Sequence, residues 1–135
     1  MQREHKYRAK DIIDNEWYYG SLMIYNTAKC VEIVDNDTGC INTVVDETVG
    51  EYSGLKDMNK IEIYEGDILH HIWNSGSAIK ETISEVKFKN GAFIVDDKKR
   101  NDFDLALHVN ASYAAVDVIG NIHDNPELIE QEKSK

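Results

Sequence analysis

The sequence predicts a mainly β fold with minor α, built as a small barrel or roll. The chain of 135 residues contains one proline, and no long stretch repeats apolar residues at the spacing of an amphipathic helix. Short apolar runs instead alternate with Gly, Asn and Asp, which is typical of strands joined by turns. The hydrophobic fraction of 41% is enough for a core, and the length fits one domain or two small subdomains.

The strands are predicted from the apolar runs, and the turns from the residues between them. An aromatic, β-prone run begins at Trp17, after a turn near Asp14 and Asn15. The runs 31–34 and 41–45 flank a turn at 35–39 and predict a hairpin. Residues 46–60 are polar and rich in turn residues, which predicts a connection. In chain order, we expect strands at residues 5–10, 17–24, 31–34, 41–45, 61–63, 68–73, 85–89, 92–95 and 114–122.

The dipeptide Asn90-Gly91 gives the clearest local signal. Both residues tolerate positive φ, which a type I′ turn requires. A two-residue loop here places Phe88 opposite Phe93 and leaves the apolar side chains of both strands on one face. Two later segments are less determined: residues 102–109 fit either an alternating strand or a short helix, and the polar end frays or forms one short helix.

The charge of the chain limits its partners. A formal net charge of −10 argues against binding along a phosphate backbone, which needs a local surplus of Lys and Arg. The basic cluster Lys98-Lys99-Arg100 is flanked by aspartates that largely cancel its field. We therefore expect no direct nucleic-acid binding. The other role that the negative charge could have is that of an acidic surface that mimics DNA.

The two cysteines, Cys30 and Cys40, flank the turn at 35–39 and could pair across that hairpin. We favour free thiols, because the chain opens with no apolar secretory segment and the cytoplasm keeps thiols reduced. A cytoplasmic location is therefore expected. No apolar run approaches the about 20 residues of a membrane span, so no membrane contact is expected.

Two polar pairs could carry chemistry, and each has a structural explanation. Glu65 and Asp67 could act in acid–base catalysis or bind a metal, but Gly66 between them fits a turn in which Asp67 accepts backbone N–H bonds. His70 and His71 are adjacent on a predicted strand and point to opposite faces, so they cannot readily share a metal. No nucleophile elbow, phosphate loop or dinucleotide motif is present. We expect no catalytic residues, no metal and no cofactor.

Tyr52, Tyr64 and Trp73 are the binding candidates. Aromatic side chains with polar tips are enriched at interfaces. Core packing is the expected role of at least two of the three.

Two long blocks resemble the YopX family of phage and prophage proteins. They read DETVGEYSGLKDMNKIEIYEGDI from residue 46 and VIGNIHDNPEL from residue 118. Residues 7–10 and 17–20 are also similar to the opening of the family, so the resemblance spans almost the whole chain. The family has a glycine where Lys60 follows Asn59; if a positive φ is needed there, one of these two residues supplies it at some energetic cost.

The resemblance implies an N-terminal α+β or β portion followed by a C-terminal SH3-like β-roll. We place the N-terminal subdomain at residues 1–50, the roll at 51–125 and a polar C-terminal tail at 126–135. The resemblance also implies a phage or prophage origin and a bacterial host cytoplasm. It brings no catalytic residues.

Three functions are weighed. The first is a non-enzymatic accessory protein that binds a phage or host protein, or associates with itself. The second is a nucleic-acid-associated or DNA-mimicking protein that counters a host defence. The third, an enzyme, requires at least two of a set of acidic and histidine side chains in one cleft; the set is Glu65, Asp67, His70, His71 and His108. We expect no enzyme.

Overall fold

The computed structural model describes residues 4–27, 30–96, 103–112 and 114–133. The basic cluster at residues 98–100 lies outside the described residues. The chain divides into two compact units, Met1–Gly54 and Leu55–Lys135. The fold is mainly β with minor helices, as predicted, and its strands form two antiparallel sheets. The SH3-like roll and the three-part division stay predictions.

The elements of the first unit are strands joined by short turns. They are β1 (Tyr7–Lys10), β2 (Trp17–Tyr25), β3 (Cys30–Val34), β4 (Ile41–Thr43), a 3-10 helix (Asp46–Thr48) and most of β5 (Gly50–Lys56). The second unit holds the rest of the chain. Its elements are β6 (Glu62–Tyr64), β7 (Asp67–Asn74), β8 (Ile79–Lys89), β9 (Ala92–Asp96), β10 (Phe103–Asp104), α1 (Leu105–Asn110), β11 (Ala114–Asn121) and α2 (Pro126–Lys133).

Strand β2 pairs with two neighbouring strands in the first unit, whose strand order is β4-β3-β2-β1-β5. Its residues 17–20 pair with β1 and its residues 21–25 pair with β3. In the same unit, Asp11, just after β1, bridges to Val44, just after β4. The Ile12 N–H donates to the Thr43 carbonyl at 3.0 Å. The core of this unit is formed by Ala9, Ile33 and Val44.

The hairpin predicted around residues 35–39 is confirmed, and its register separates the two cysteines. Val34 pairs with Ile41, and Cys30 lies four residues before Val34. At about 3.3 Å per residue, Cys30 is more than roughly 13 Å along the strand from Cys40. A disulfide needs Cα atoms within about 7 Å. Both thiols are free, and the pairing across the hairpin is excluded by this register.

The second unit contains an antiparallel sheet in the order β10-β9-β8-β7-β11. The Asn90-Gly91 turn is confirmed, because both residues have positive φ, 54° and 82°. Phe88 lies opposite Phe93 as predicted, with ring centroids 5.1 Å apart. The core of this unit is formed by Ile63, Leu69, Val86, Val95, Leu105 and Val116.

Three segments add to or correct the sequence prediction. Residues 46–60 were expected to be a connection, but they include β5, because alternate residues there are buried although their neighbours are polar. The ambiguous segment is a strand only at Phe103–Asp104 and then becomes α1. The Asp104 carboxylate caps that helix by accepting the N–H groups of Ala106 and Leu107. The polar end forms helix α2, one of the two outcomes considered. No described helix is long and apolar enough to cross a bilayer.

Lys60 supplies the positive φ that the family places on glycine, with a φ of 67°. A left-handed conformation costs a residue with a side chain about 1 kcal/mol. Glycine avoids this cost, but its unfolded chain has more conformational freedom, which offsets part of the gain in stability. We expect Lys60→Gly to raise the free energy of unfolding by about 0.5 kcal/mol, measured by urea denaturation. As the control, Lys56→Gly, inside β5, should lower the free energy of unfolding. A lower free energy of unfolding for Lys60→Gly would contradict the interpretation that the backbone of Lys60 is strained.

Candidate functional site

The three aromatic candidates occupy different environments. Tyr52 on β5 and Tyr64 on β6 are buried, in agreement with the expectation that two of the three pack in the core. Trp73 is half-buried near the end of β7 and lines a cavity of about 280 Å³ in the second unit. The remaining residues of that cavity are Ile72, Asn74, Ile79, Ser112, Ala114 and Ala115. Trp73 is therefore the candidate that a partner could reach, and its binding role stays a prediction.

The segment Glu65-Gly66-Asp67 forms a turn between β6 and β7. Gly66 has a φ of +92°, and its carbonyl accepts the N–H of Ile122 at 2.9 Å. The buried Asp67 carboxylate accepts the Tyr64 N–H at 2.7 Å. The interpretation of this segment as a turn, in which Asp67 accepts a backbone N–H, is confirmed.

The adjacent histidines point to opposite faces of the second sheet, as predicted. His70 lies with its Nε2 at 2.9 Å from a carboxylate oxygen of Glu81 on the neighbouring strand. His71 is 2% exposed, and its ring stacks on Trp73 with centroids 4.7 Å apart. The two rings therefore cannot share a ligand.

His71 instead meets His108, and both belong to the set of side chains that the enzyme hypothesis requires in one cleft. The two ring centroids are 4.4 Å apart, edge to face, and Phe103 lies 5.1 Å from His108 on another side. His108 is 8% exposed, and neither of its ring nitrogens has a hydrogen-bond partner among the described residues. Burial lowers the pKa of His108, and the charge of Asp104 opposes this in part.

This histidine pair does not form an open catalytic cleft. Two of the five side chains of the enzyme hypothesis converge, but both rings lie beneath the surface. Asp67 and His70 are engaged elsewhere by the bonds just described. Among the described residues, no group of three or more His, Cys, Asp or Glu side chains could hold a metal ion.

The lowered pKa of His108 predicts a dependence of stability on pH. Between the ordinary pKa of about 6.5 and the lower native value, the unfolded state binds more protons, so stability falls as the pH drops below about 6.5. Among the described residues, the charge of Asp104 favours protonation of this ring and opposes the effect of burial. We expect His108→Leu to flatten this dependence between pH 6.5 and about 5, measured by urea denaturation at each pH.

One observation and one control variant keep this pH prediction specific. Asp11 and Asp35 have lowered pKa values because they accept hydrogen bonds, so their contributions are lost below about pH 4, outside the histidine window. His70→Gln is a control on the other face of the same strand and should keep the dependence. An unchanged pH profile in His108→Leu would show that the buried ring is not its source.

A larger opening lies in the first unit, and we call it the first-unit groove. It has a cavity volume of about 560 Å³. It is lined by Ile12, Ile24, Tyr25, Asn26, Cys30, Val31, Thr43, Val44, Asp46 and Glu47.

The groove is the open end of the first-unit core. In the β2–β3 register, Leu22 lies opposite Ile33 and Ile24 lies opposite Val31. Side chains two residues apart on a strand share a face. Ile24 therefore lies on the same inner face as Leu22, at the end of the strand where this face is exposed. Ile24 is 65% exposed, whereas Val44 at the floor is buried. The groove therefore has an apolar floor continuous with the core.

The rim of the groove is acidic. Asp46 and Glu47, both exposed, belong to the 3-10 helix that follows β4. None of the described residues that line the groove is Lys, Arg or His. Beside it, the Tyr25 hydroxyl hydrogen-bonds to Glu32, which raises the pKa of Tyr25.

Sequence reasoning missed this groove. Its apolar residues come from β2, β3 and the segments after β1 and β4. No local sequence pattern distinguishes each of them from other apolar residues of the strands. The one local signal is Ile12-Ile13, an apolar pair within a polar turn. Only the register of the strands brings Ile12 and Ile24 to the same groove.

The comparisons with known proteins agree with the resemblance found in the sequence. The model of the YopX protein family matches residues 6–130. The SPbeta prophage-derived uncharacterized protein YopX of Bacillus subtilis strain 168 is 43% identical over 49 residues, which are 36% of this chain and 37% of that protein. The matched stretch thus spans little more than a third of that relative.

Two solved structures have a similar fold. The crystal structure of YopX from Bacillus subtilis has a TM-score of 0.59 at 25% identity, over 91% of this chain and 96% of that one. Protein EF1440 from Enterococcus faecalis has a TM-score of 0.57 at 24% identity, over 95% and 99%, and shows the fold alone. Because the family model covers most of its length, the chain belongs to the YopX protein family.

Proposed function

We propose that this protein is a non-enzymatic accessory protein of prophage origin that acts by binding another protein through the first-unit groove. The observation that carries the proposal is the uncovered end of the first-unit core. Ile12 and Ile24 are 56% and 65% exposed there, beside the buried Val44. Fully burying an Ile side chain contributes about 1.5–3 kcal/mol, so covering these partly exposed ones contributes part of that amount. Together with the groove beside them, they form an exposed apolar surface that a partner can cover.

The non-enzymatic part of the proposal is supported by the use of the polar side chains. Asp67 supports a turn, and His71 and His108 pack beneath the surface. The prophage origin is supported by the name of the Bacillus subtilis relative.

The arrangement of the acids favours protein binding over DNA mimicry. A mimic needs carboxylates that face outward at the spacing of phosphates. Several carboxylates here accept N–H bonds from the chain's own backbone and so serve its turns and caps. They include those of Asp11, Asp35, Asp57, Asp67 and Asp104.

The test is capture of a partner by the tagged full chain from a lysate of lysogenic bacteria, with the partner identified by mass spectrometry. We expect Ile24→Ser to reduce recovery of that partner at least about tenfold, a loss of about 1.4 kcal/mol. Ile13→Ser is the matched control, because Ile13 is 89% exposed and does not line the groove. No partner, or equal losses in both variants, would contradict the proposal.

A further inference from the structure

Resting on the proposed function, we propose that the first-unit groove binds a basic segment of a partner protein, with an aliphatic side chain seated among its isoleucine and valine residues. The floor of the groove supports the aliphatic side chain, and the rim supports the positive charge.

The floor favours an aliphatic anchor. Ile24, Val31 and Val44 form a surface continuous with the core, and the cavity of about 560 Å³ is within the range of about 300–1,000 Å³ typical of binding clefts. Among the described residues that line it, Tyr25 is the one aromatic residue, and its hydroxyl is engaged by Glu32. An apolar side chain buries against such a floor without leaving a polar atom unpaired, and a branched aliphatic one matches the isoleucine and valine side chains that form it.

The rim favours positive charge beside that anchor. Asp46 and Glu47 place two exposed carboxylates at the groove, with no cation among the described lining residues. Each exposed pair adds only about 0.2–1 kcal/mol, so the charges select the partner more than they hold it. A second copy of this chain carries a net charge of −10 and would be repelled, which favours a different, basic protein.

The hydrogen bonds at the groove indicate how the segment is held. Addition of a strand next to β4 needs free backbone groups on that edge. There, the Thr43 carbonyl already accepts the Ile12 N–H, and Val44 is bridged to Asp11. Strand addition at this end of β4 is therefore disfavoured, and we infer side-chain seating, with Asn26 as a polar group at the rim.

The test uses fluorescence anisotropy with the full chain and three labelled peptides. The first has two central leucines flanked by three lysines on each side, the second has serines in place of the leucines, and the third has glutamates in place of the lysines. We expect the first peptide to bind at least about tenfold more tightly than either of the others, and to weaken as salt is added.

Variants assign that binding to the groove. Ile24→Ser should weaken the first peptide about tenfold, and so should the double change Asp46→Lys with Glu47→Lys, whereas Ile13→Ser should not. Ile24 is largely exposed, so the thermal unfolding midpoint of Ile24→Ser should stay close to that of the wild type, which separates lost binding from lost folding.

Each outcome decides the inference. Equal binding of the leucine and serine peptides, or binding unaffected by Ile24→Ser, would overturn it by showing attraction of charge alone. Preference for the glutamate peptide would overturn it as well. If no peptide binds while the captured partner still depends on Ile24, this inference fails and the proposed function stands; if that dependence is absent too, both fail.

Discussion

Replacing Gly20 by alanine is expected to destabilise the first unit by about 3 kcal/mol or more. Gly20 is where β2 leaves its pairing with β1 and begins its pairing with β3. A Cβ at this position would lie 2.0 Å from the Val34 carbonyl oxygen, and the φ of +155° is one that side chains rarely adopt. Because the contact is with backbone, the two strands must separate to accept a methyl group.

The measurement is urea denaturation followed by Trp17 fluorescence in a Trp73→Phe background, since the chain has two tryptophans, one in each unit. Gly39→Ala is the matched control. Gly39 has a φ of +75°, and a methyl group added to it would meet nothing within 4 Å, so only the left-handed penalty of about 1 kcal/mol applies. A loss in Gly20→Ala no greater than in this control would refute the close approach of the strands.

Replacing Asp57 by alanine should destabilise the second unit by about 3 kcal/mol, because three backbone donors lose one acceptor group. Asp57 is 6% exposed. Its Oδ1 accepts the N–H groups of Asn59 and Ile61 at 2.8 and 2.9 Å, and its Oδ2 accepts the Val118 N–H at 2.9 Å. A buried donor left unpaired costs about 1–3 kcal/mol.

The position of Asp57 explains why this loss should spread beyond one turn. Val118 is on β11, an edge strand of the second sheet, and the Met58 N–H donates to the carbonyl of Val116 on the same strand. The turn therefore covers an edge that would otherwise present unpaired backbone groups.

Two comparisons test this account of Asp57. Asp57→Asn keeps one acceptor oxygen and should lose about half as much stability, and hydrogen exchange of the Val118 amide should accelerate in both variants. Asp117→Ala, which removes one exposed bond to Asn59, should cost less than about 1 kcal/mol. A similar loss in Asp57→Ala and Asp117→Ala would show that the bonds to the buried Asp57 carboxylate do not support the edge.

The same hydrogen bonds explain what the residues of the family-like blocks do. Asp57, Gly66 and Asp67 fall in the first block, and each supports a turn. In the second block, the Asn121 carboxamide accepts the N–H groups of His123 and Asp124. The blocks thus specify turns of the second unit, and the groove that we propose for binding lies mostly outside them.

The sequence by itself determined the features that depend on neighbouring residues. The Asn90-Gly91 hairpin, the turn at residues 35–39 and the opposite facing of His70 and His71 were all predicted and confirmed. Each follows from positive φ, from local hydrogen bonds or from the two-residue period of a strand, and these act over a few residues.

The tertiary structure alone decided the features that join distant segments. The strand at Gly50–Lys56, the contact of His71 with His108 and the groove between Ile12 and Ile24 all depend on which strands pair and in what register. Local preference cannot set that register, because burial is gained only when faces from separate segments meet. The groove is open for the same reason: the strands of the first unit extend past the side chains that could cover their inner face.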